Sequence, residues 1–393
     1  MAAVMGWLLV AGTSVAQSDY ERGLRALEPA PEATDELRRA DLLFRRASFT
    51  ECLEDLRAAK SAFDRLSESV DIPGFALARA RLALHFHSLT EASHALAAAD
   101  DSAPEPLRAQ LAFDLALQGG KYLEARALAA TWERDSASAE ELCRAAKLAT
   151  FDGQDERADR LLARAENQLT VKEMRFFAWI ALERGALQFR AGHLPQAAVH
   201  YRRAESAWSG WWRVDQRKAE LMAAEGRFAE SEALYRQLLA SQDRPELEQE
   251  LGDMLLFQKK EAKALECYRR ALEVYLDSAA RGEVLYLHHL AALYTEGLPN
   301  PAESVRWALA DVALRPSASA RDALAWAYYS SGKYASAAAE TRAVLATGSQ
   351  EAHVLYHSAM ILMAAGQIEE ARKLLQKPAV AALIGSRTFH AHR

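Results

Sequence analysis

Small, aromatic and polar side chains recur at a helical spacing through the middle of the chain. In the segment 192–205, Gly192 is followed five residues later by Ala197, four later by Tyr201 and three later by Ala204. The same frame returns in segments 226–239 and 260–272. Positions three and four apart share one helix face, where small residues let a second helix approach and the aromatic ring fills the space beside them. The pattern predicts helical hairpins that pack against one another.

This frame repeats along most of the chain. The small residue after each turn recurs at 33 or 34 residues in six of nine intervals and at 39 or 40 in the other three. Twelve residues before it stands a second position, which is Ala or Gly in nine of ten copies. The residues after the turn, called the second-helix positions, are Cys52, Ala92, Ala125, Ala158, Ala197, Ser231, Ala264, Glu303, Ala337 and Ala371. The residues twelve positions earlier, called the first-helix positions, are Ala40, Ala80, Phe113, Ala146, Gly185, Ala219, Gly252, Ala291, Ala325 and Ala359. Such a period fits two helices joined by short turns.

The period and the pattern of small residues resemble the tetratricopeptide repeat (TPR) family over residues 34–378. The resemblance implies an all-α fold, a right-handed superhelical solenoid of about ten helix-turn-helix repeats. The eighth copy fits worst, because Glu303 replaces the small residue and LPNPAE replaces the turn glycine, so we expect an altered turn or a shifted frame there. The first two copies also lack the turn glycine. Around this array we place a signal peptide at 1–16, a lead-in segment or extra helix at 17–33, and a C-terminal cap or tail at 379–393.

The N-terminal residues differ from the rest of the chain. Residues 1–17 carry no charged side chain, and an apolar run at 4–11 precedes the small-x-small triplet 14–16. These features predict a cleaved secretory signal and an exported, periplasmic or secreted protein whose mature chain begins at Gln17. The run is shorter than the ~20 apolar residues of a membrane span, so we expect no stable span after cleavage. The alternatives are an apolar first helix in a cytoplasmic protein and, least expected, a membrane anchor.

Composition and motifs limit the classes of function that the sequence allows. Charged residues make up 26% of the chain and the net charge is −6, without a long Lys/Arg run, which argues against nucleic acid as a partner. The motifs GxSxG and HExxH and a Gly-rich phosphate loop are absent from the sequence, so we predict neither an enzyme nor a cofactor. Cys52, Cys143 and Cys267 are far apart, and we expect small apolar side chains there instead of a disulfide framework.

Two local features have competing interpretations. His353 and His357 stand four apart on one predicted helix, so their rings can converge on a metal ion, but no third ligand follows from the sequence and we predict no metal site. The segment Ser206–Trp212 holds three tryptophans around a glycine. It is either a local core at the joint between two hairpins or an exposed aromatic patch that binds a partner.

The resemblance also implies where a ligand would bind, because the first helix of each TPR lines the concave surface. We therefore predict a scaffold that binds a protein or peptide in this groove, although each candidate residue has the alternative of packing against the adjacent repeat. The candidates are Trp179, Phe189, His288, Trp326, Tyr329, His353, Tyr356, Met360 and Met363, with further polar candidates at Arg213, Gln216, Glu220, Gln249 and Asp253. The last four take positions where TPR co-chaperones carry paired Lys and Asn, so chaperone-tail binding is not expected. The alternative function is a structural subunit of a cell-envelope complex that uses the convex face or the ends.

Overall fold

The computed structural model describes residues 17–28, 36–66, 75–99, 104–134 and 136–385. Within these ranges the chain forms 22 α-helices, one 3-10 turn (Val171–Glu173) and one π-helix (Leu293–Gly297), and no strand. Helix α1 (Asp19–Ala26) lies in the predicted lead-in, and α22 (Pro378–Gly385) begins the predicted cap. None of the described helices combines the length and apolar character that a membrane crossing requires. The signal peptide at 1–16 lies outside the described residues and stays a prediction.

The remaining helices form ten hairpins, and each first helix packs most extensively against the second helix that follows it. The hairpins are α2 (Glu36–Thr50) with α3 (Leu53–Leu66), α4 (Phe75–His85) with α5 (Leu89–Ala97), α6 (Glu105–Gln118) with α7 (Tyr122–Thr131), α8 (Ala139–Phe151) with α9 (Asp155–Gln168), α10 (Met174–Arg190) with α11 (Leu194–Ala207), α12 (Trp212–Ala224) with α13 (Phe228–Ser241), α14 (Pro245–Phe257) with α15 (Glu261–Ala280), α16 (Leu287–Ala292) with α17 (Pro301–Leu314), α18 (Ala318–Ser330) with α19 (Tyr334–Ala346), and α20 (Ala352–Ala364) with α21 (Ile368–Leu375). We number them repeats 1 to 10. The chain is an all-α, right-handed superhelical solenoid of TPR-like repeats.

The small residues of the first helices make room for tyrosine rings. Tyr201 and Tyr268 are buried at the same position of repeats 5 and 7. A Cβ atom at Gly185 would lie 2.3 Å from Cε1 of Tyr201, and one at Gly252 would lie 2.6 Å from Cε1 of Tyr268. Since ordinary carbon contacts are about 3.5–4.0 Å, only glycine lets the ring rest directly on the helix backbone.

The turn that joins the two helices of a hairpin is called the hairpin turn below, and in nine of the ten repeats it contains one residue in the left-handed conformation. Six repeats use glycine there, but Glu51, His87 and Lys259 take φ values of 55°, 57° and 62° in repeats 1, 2 and 7. A left-handed L-residue costs about 1–2 kcal/mol, so packing must hold these three turns in place. This explains how the first two repeats form the turn without the expected glycine.

The frame of repeat 1 differs from the prediction. In the other repeats with this turn the left-handed residue follows the first-helix position by seven residues, and seven residues before Glu51 stands Phe44. Phe44 is buried, as Phe113 is in repeat 3, and the matching second-helix position is the buried Leu56. The predicted pair Ala40 and Cys52 is therefore one helical turn too early.

Repeat 8 has the shifted frame that its sequence suggested. Its first helix runs into the π-helix Leu293–Gly297, and a π-helix accommodates one extra residue per turn. Ser304 consequently takes the buried place of the small residue, and its hydroxyl donates to the carbonyl of Ala291 at 3.3 Å. In repeat 6 the Ser231 hydroxyl donates to the Ala219 carbonyl at 2.8 Å in the same way. Glu303 faces outward and accepts a hydrogen bond from the indole N–H of Trp307.

The solenoid completes one superhelical turn in five to six repeats, so that later repeats pack against earlier ones; this packing is called the closure below. The Arg244 guanidinium, between repeats 6 and 7, donates to the carbonyl of Thr50 in the hairpin turn of repeat 1. The backbone N–H of Ala318, between repeats 8 and 9, donates to the Tyr122 hydroxyl of repeat 3 at 2.6 Å. The N–H of Gln350, between repeats 9 and 10, donates to the Phe151 carbonyl of repeat 4 at 2.9 Å. The hairpin turn of repeat n thus packs on the inter-repeat segment that follows repeat n+5. Repeats 1–5 form a first superhelical turn and repeats 6–10 a second one in contact with it.

The tryptophan-rich segment lies in this contact. Trp211 and Trp212 are buried. The Arg244 guanidinium stands 3.6 Å over the Trp212 ring, and the half-buried Trp208 meets Phe49 of repeat 1 edge to face. Helix α1 covers the segment, and the N–H of Tyr20 donates to the carbonyl of Ser209. The segment is a local core, and the alternative of an exposed aromatic patch is wrong.

Candidate functional site

A cavity of about 730 Å³ lies between the two superhelical turns. The first helices of repeats 3, 4 and 5 (α6, α8 and α10) supply one wall, and the segments before α18 and α20 supply the opposite wall. On α10 the lining residues Phe176, Trp179, Glu183, Leu187 and Arg190 follow one another at spacings of three and four, so they share one helix face. The superhelical closure places this face opposite the second turn.

Aromatic rings form the apolar part of the lining. Phe176 and Trp179 are half-buried neighbours with ring centroids 5.9 Å apart. Tyr122 stacks on Phe151 with centroids 4.4 Å apart, at the side where repeats 3 and 4 touch the second superhelical turn. These rings offer large, rigid apolar surfaces to a ligand.

Charged side chains form the polar part. The Arg144 guanidinium is held by Asp114, with Nη2 2.7 Å from Oδ2, and belongs to the wall. Five other charged lining residues make no side-chain hydrogen bond or ion pair with any described residue. They are Lys147, Arg190, Glu140, Glu183 and Glu351. A ligand therefore meets two unpaired cations and three unpaired carboxylates.

Neither of the two buried weak acids in the lining ionises near neutral pH. Burial raises the pKa of the Cys143 thiol to about 12. Burial also raises the pKa of Tyr122, although the hydrogen bond from the Ala318 N–H opposes that shift. Cys143 therefore lines the cavity as an uncharged thiol, and Tyr122 keeps its proton while it accepts the closing hydrogen bond.

Of the nine predicted groove residues, Trp179 lines this cavity. Phe189 packs against the central core around Tyr201. Trp326 lies stacked between Tyr329 and His357, with centroids at 4.7 Å and 4.1 Å. Its indole N–H donates to Glu296 at 2.8 Å. The stack supports the second superhelical turn, so the aromatic cluster at 326–329 has a structural role whatever else it binds.

The other predicted residues lie outside the cavity lining. His288 has Nδ1 3.5 Å from Oδ2 of the buried Asp311. His353 and Met363 are exposed on α20, whereas Tyr356 and Met360 on the same helix are half-buried. A groove role for these residues stays a prediction.

The histidine pair on α20 is already engaged within the fold. Nδ1 of His357 lies 2.9 Å from Oδ2 of Asp322. Burial alone would lower the pKa of His357, but the carboxylates of Asp322 and Glu296 together outweigh burial and raise it. No group of three potential metal ligands exists among the described residues. The weak alternative of a metal site at His353 and His357 gains no third ligand from the structure.

The further polar candidates all make contacts within the protein. Arg213 pairs with Glu51, Gln216 donates to Glu250, Glu220 accepts from Arg217, Gln249 accepts from Tyr275, and Asp253 accepts from Tyr268. The bonds of Gln216, Gln249 and Asp253 join different helices of the second superhelical turn. The bond of Glu220 lies within α12, and that of Arg213 joins the two superhelical turns. They occupy these groups in packing.

Sequence reasoning missed most of the cavity. Phe176 and Glu183 share a helix face with Trp179, so the spacing along α10 would have revealed them. Tyr122, Ser317 and Glu351 join the lining because repeats five positions apart come into contact. No local periodicity signals that contact.

No family model matches the chain. No curated protein matches it either. Solved structures of similar fold include a tetratricopeptide repeat protein from Parabacteroides merdae, with 20% identity over 65% of this chain and 96% of that one and a TM-score of 0.39. Yeast Tom70 has 16% identity over 93% of this chain and 88% of that one, with a TM-score of 0.40. At these identities the likeness concerns the fold alone.

One comparison corrects the expectation about partners. The human IFIT1 dimer with m7Gppp-AAAA is similar at 13% identity, over 78% of this chain and 71% of that one, with a TM-score of 0.46. The exclusion of nucleic acid is wrong, because a similar solved structure is recorded with such a ligand. That exclusion rested on the net charge of the whole chain and on the lack of a long Lys/Arg run, and neither describes the charge inside one cavity.

Proposed function

We propose that this chain is a scaffold that binds an extended peptide segment of a partner protein in the cavity between its superhelical turns. The observation that supports it is the cavity itself, which joins an aromatic wall to unpaired charges of both signs. Its volume of about 730 Å³ falls within the roughly 300–1,000 Å³ of ligand pockets. Apolar walls with a few convergent polar groups are typical of such sites.

The lining suits a peptide in three respects. Trp179 and Phe176 offer a half-buried pair of rings to one apolar or aromatic side chain of the ligand. The hydroxyl groups of Thr150 and Ser319 supply donors and acceptors for the exposed amide groups of an extended backbone. Buried aromatic anchors of this kind contribute most of the affinity at interfaces.

The unpaired charges select among peptides. Glu140, Glu183 and Glu351 outnumber Lys147 and Arg190, so the favoured peptide carries a basic side chain beside its apolar anchor. Charge complementarity determines specificity and association rate more than it determines affinity. A strongly acidic peptide would place like charges against three carboxylates and would be rejected.

A displayed library of short peptides, selected on the folded protein, tests this proposal. The dissociation constants of selected peptides are then measured by fluorescence anisotropy for the wild type, Trp179→Ala and Trp307→Ala. We expect Trp179→Ala to weaken binding about tenfold or more, as for a central aromatic anchor. Trp307 is a half-buried tryptophan on α17 outside the cavity lining, and its replacement should leave affinity nearly unchanged. Circular dichroism confirms that both variants fold.

Two outcomes would contradict the proposal. Peptides that bind Trp179→Ala as tightly as the wild type would place the binding site elsewhere. The second is Trp179-dependent binding of the oligonucleotide m7Gppp-AAAA together with failure to select any peptide, which would assign the cavity to a different class of ligand.

A further inference from the structure

Two of the first helices that line the cavity carry charges in the same order. On α8, Lys147 follows Glu140 by seven residues, and on α10, Arg190 follows Glu183 by seven residues. Seven residues are about two helical turns, so each pair shares one helix face with a rise of about 10 Å between its members. Both helices run from an inter-repeat segment to a hairpin turn, so in each of them the cation lies nearer the hairpin turn. The carboxylates therefore lie toward one end of the cavity and the cations toward the other.

The repeat frame shows which residues stand at the same level on these two helices. Glu140 and Trp179 are each six residues before the first-helix position of their repeat. Phe151 and Arg190 are each five residues after that position. The carbonyl of Phe151 accepts the hydrogen bond from Gln350 that belongs to the closure. One end of the cavity thus combines the Trp179 ring with a carboxylate, and the cationic end lies at the closure.

The two carboxylates act on the same part of the cavity. Burial, followed by the charges of Glu183 and Glu140, raises the pKa of the Cys143 thiol to about 12. Cys143 lies on α8, one helical turn after Glu140, whereas Glu183 acts on the thiol from α10. Since both charges affect one thiol, their negative potentials add at this end of the cavity.

The other charged residues of the lining leave this separation in place. Arg144 is held by Asp114, and Nη2 of Arg315 lies 2.6 Å from Oδ1 of the buried Asp311. A carboxylate therefore offsets each of these two arginines. Glu351 lies on the opposite wall at the closure end, where it offsets one of the two cations. Two carboxylates remain at the end with Trp179, and a surplus of one cation remains at the closure end.

We infer that a peptide bound in this cavity carries an acidic side chain two to four residues away from its basic one. The basic side chain pairs with Glu140 and Glu183, beside the Trp179 ring. The acidic side chain pairs with Lys147 and Arg190, at the closure. An extended peptide advances about 3.3 Å per residue, so two to four residues cover the roughly 10 Å between the charged ends. The inference rests on the proposed function and adds to it the order and spacing of charges that the partner segment must have.

Selection from a peptide library on two forms of the full chain tests the inference. The C terminus of each peptide is fused to the carrier, so that no free carboxylate can replace an acidic side chain. On the wild type we expect peptides that combine an acidic and a basic residue at this spacing. On the double variant Lys147→Glu, Arg190→Glu the acidic residue should disappear and a second basic residue should replace it. Wild-type peptides without the acidic residue would overturn the inference while the proposed function stands, whereas failure to select any peptide on the wild type would contradict the proposed function as well.

Fluorescence anisotropy of one selected peptide, amidated at its C terminus, then assigns the acidic residue to its partner. Replacement of that residue by the corresponding amide should weaken binding to the wild type about three- to tenfold. The same replacement should have a much smaller effect on Lys147→Gln or Arg190→Gln, because the charge it pairs with is already gone. Lys172→Gln is the matched control, since Lys172 is an exposed cation outside the cavity lining, and it should keep the full loss. Equal losses on the wild type and on both cavity variants, with folding confirmed by circular dichroism, would overturn the inference.

Discussion

Two glycines at one repeat position test whether the solenoid closes on itself. Gly120 and Gly332 are the left-handed residues of the hairpin turns in repeats 3 and 9, with φ values of 73° and 72°. Replacement of either by alanine forces a side chain into the same left-handed conformation. The shared cost is about 1–2 kcal/mol of unfolding free energy. Any difference between the two variants therefore comes from their surroundings.

Those surroundings differ in one respect. A Cβ atom at Gly120 would stand 2.4 Å from the carbonyl oxygen of Pro316 and 3.1 Å from its carbonyl carbon. These are backbone atoms, which cannot move aside as a flexible side chain would. Overpacking of this kind costs about 1–3 kcal/mol. We expect Gly120→Ala to lose about 2–5 kcal/mol and Gly332→Ala, with open space among the described residues, about 1–2 kcal/mol.

Urea unfolding gives the two free energies, with the midpoint used for comparison if the repeats do not unfold as one unit. Hydrogen exchange of the Ala318 amide gives a local measure, because that N–H donates to the Tyr122 hydroxyl across the contact. Exchange there should accelerate in Gly120→Ala and remain near the wild-type rate in Gly332→Ala. Equal losses of stability together with unchanged exchange would refute the closed superhelix.

Two further predictions concern the packing of Tyr201 and the titration of two histidines. Gly185→Ala would place a Cβ atom 2.3 Å from the Tyr201 ring, so we expect the free energy of urea unfolding to fall by about 1–3 kcal/mol. The loss caused by Gly185→Ala should be smaller in a chain that also carries Tyr201→Leu, because the shorter side chain removes the clash. Strict additivity of the two changes would contradict the contact. Burial lowers the pKa of His87 to about 4 and that of His289 to about 3. The unfolded chain, with histidines near 6.5, binds more protons in this window, so stability should fall as pH drops from about 6.5 toward 4, by up to ~1.4 kcal/mol per pH unit for each group. Melting temperatures across this range test the slope, which His289→Gln should reduce, and an unchanged slope in that variant would contradict the assignment.

The repeat array was predictable because its packing is local in sequence. Ala197, Ala264 and Ala337 are fully buried where the period placed them, since each contacts a helix only a dozen residues away. In repeat 1 the predicted positions were one helical turn too early, because Phe44 fills the first-helix position where an alanine was expected. The hairpin turn of repeat 1 could not be located from the sequence either, because Glu51 adopts the left-handed conformation that is marked by a glycine in six other repeats.

The site was much less predictable, for a physical reason. Trp179 could be found because first helices line the concave face in the resembled family. Tyr122 and Glu351 could not, because they meet across a contact between repeats far apart in the chain. The sequence favoured the aromatic cluster around Trp326 as a binding surface. In the structure the indole N–H of Trp326 donates to Glu296 and its ring stacks on His357, so both are used within the fold.

The closure also changes how the ends of the array are expected to unfold. A linear repeat protein is stabilised by each repeat and its nearest neighbours, so that its ends open independently. In this chain Arg57 of the first repeat pairs with Glu283 in the segment after the seventh repeat, with Nε and Oε1 2.6 Å apart. Phe151 of the fourth repeat accepts a hydrogen bond from Gln350 in the segment between the ninth and tenth repeats. Opening one end must therefore expose surface in the middle of the chain, which couples the N-terminal repeats to the walls of the cavity. The same packing that stabilises the ends thus determines the shape of the candidate site.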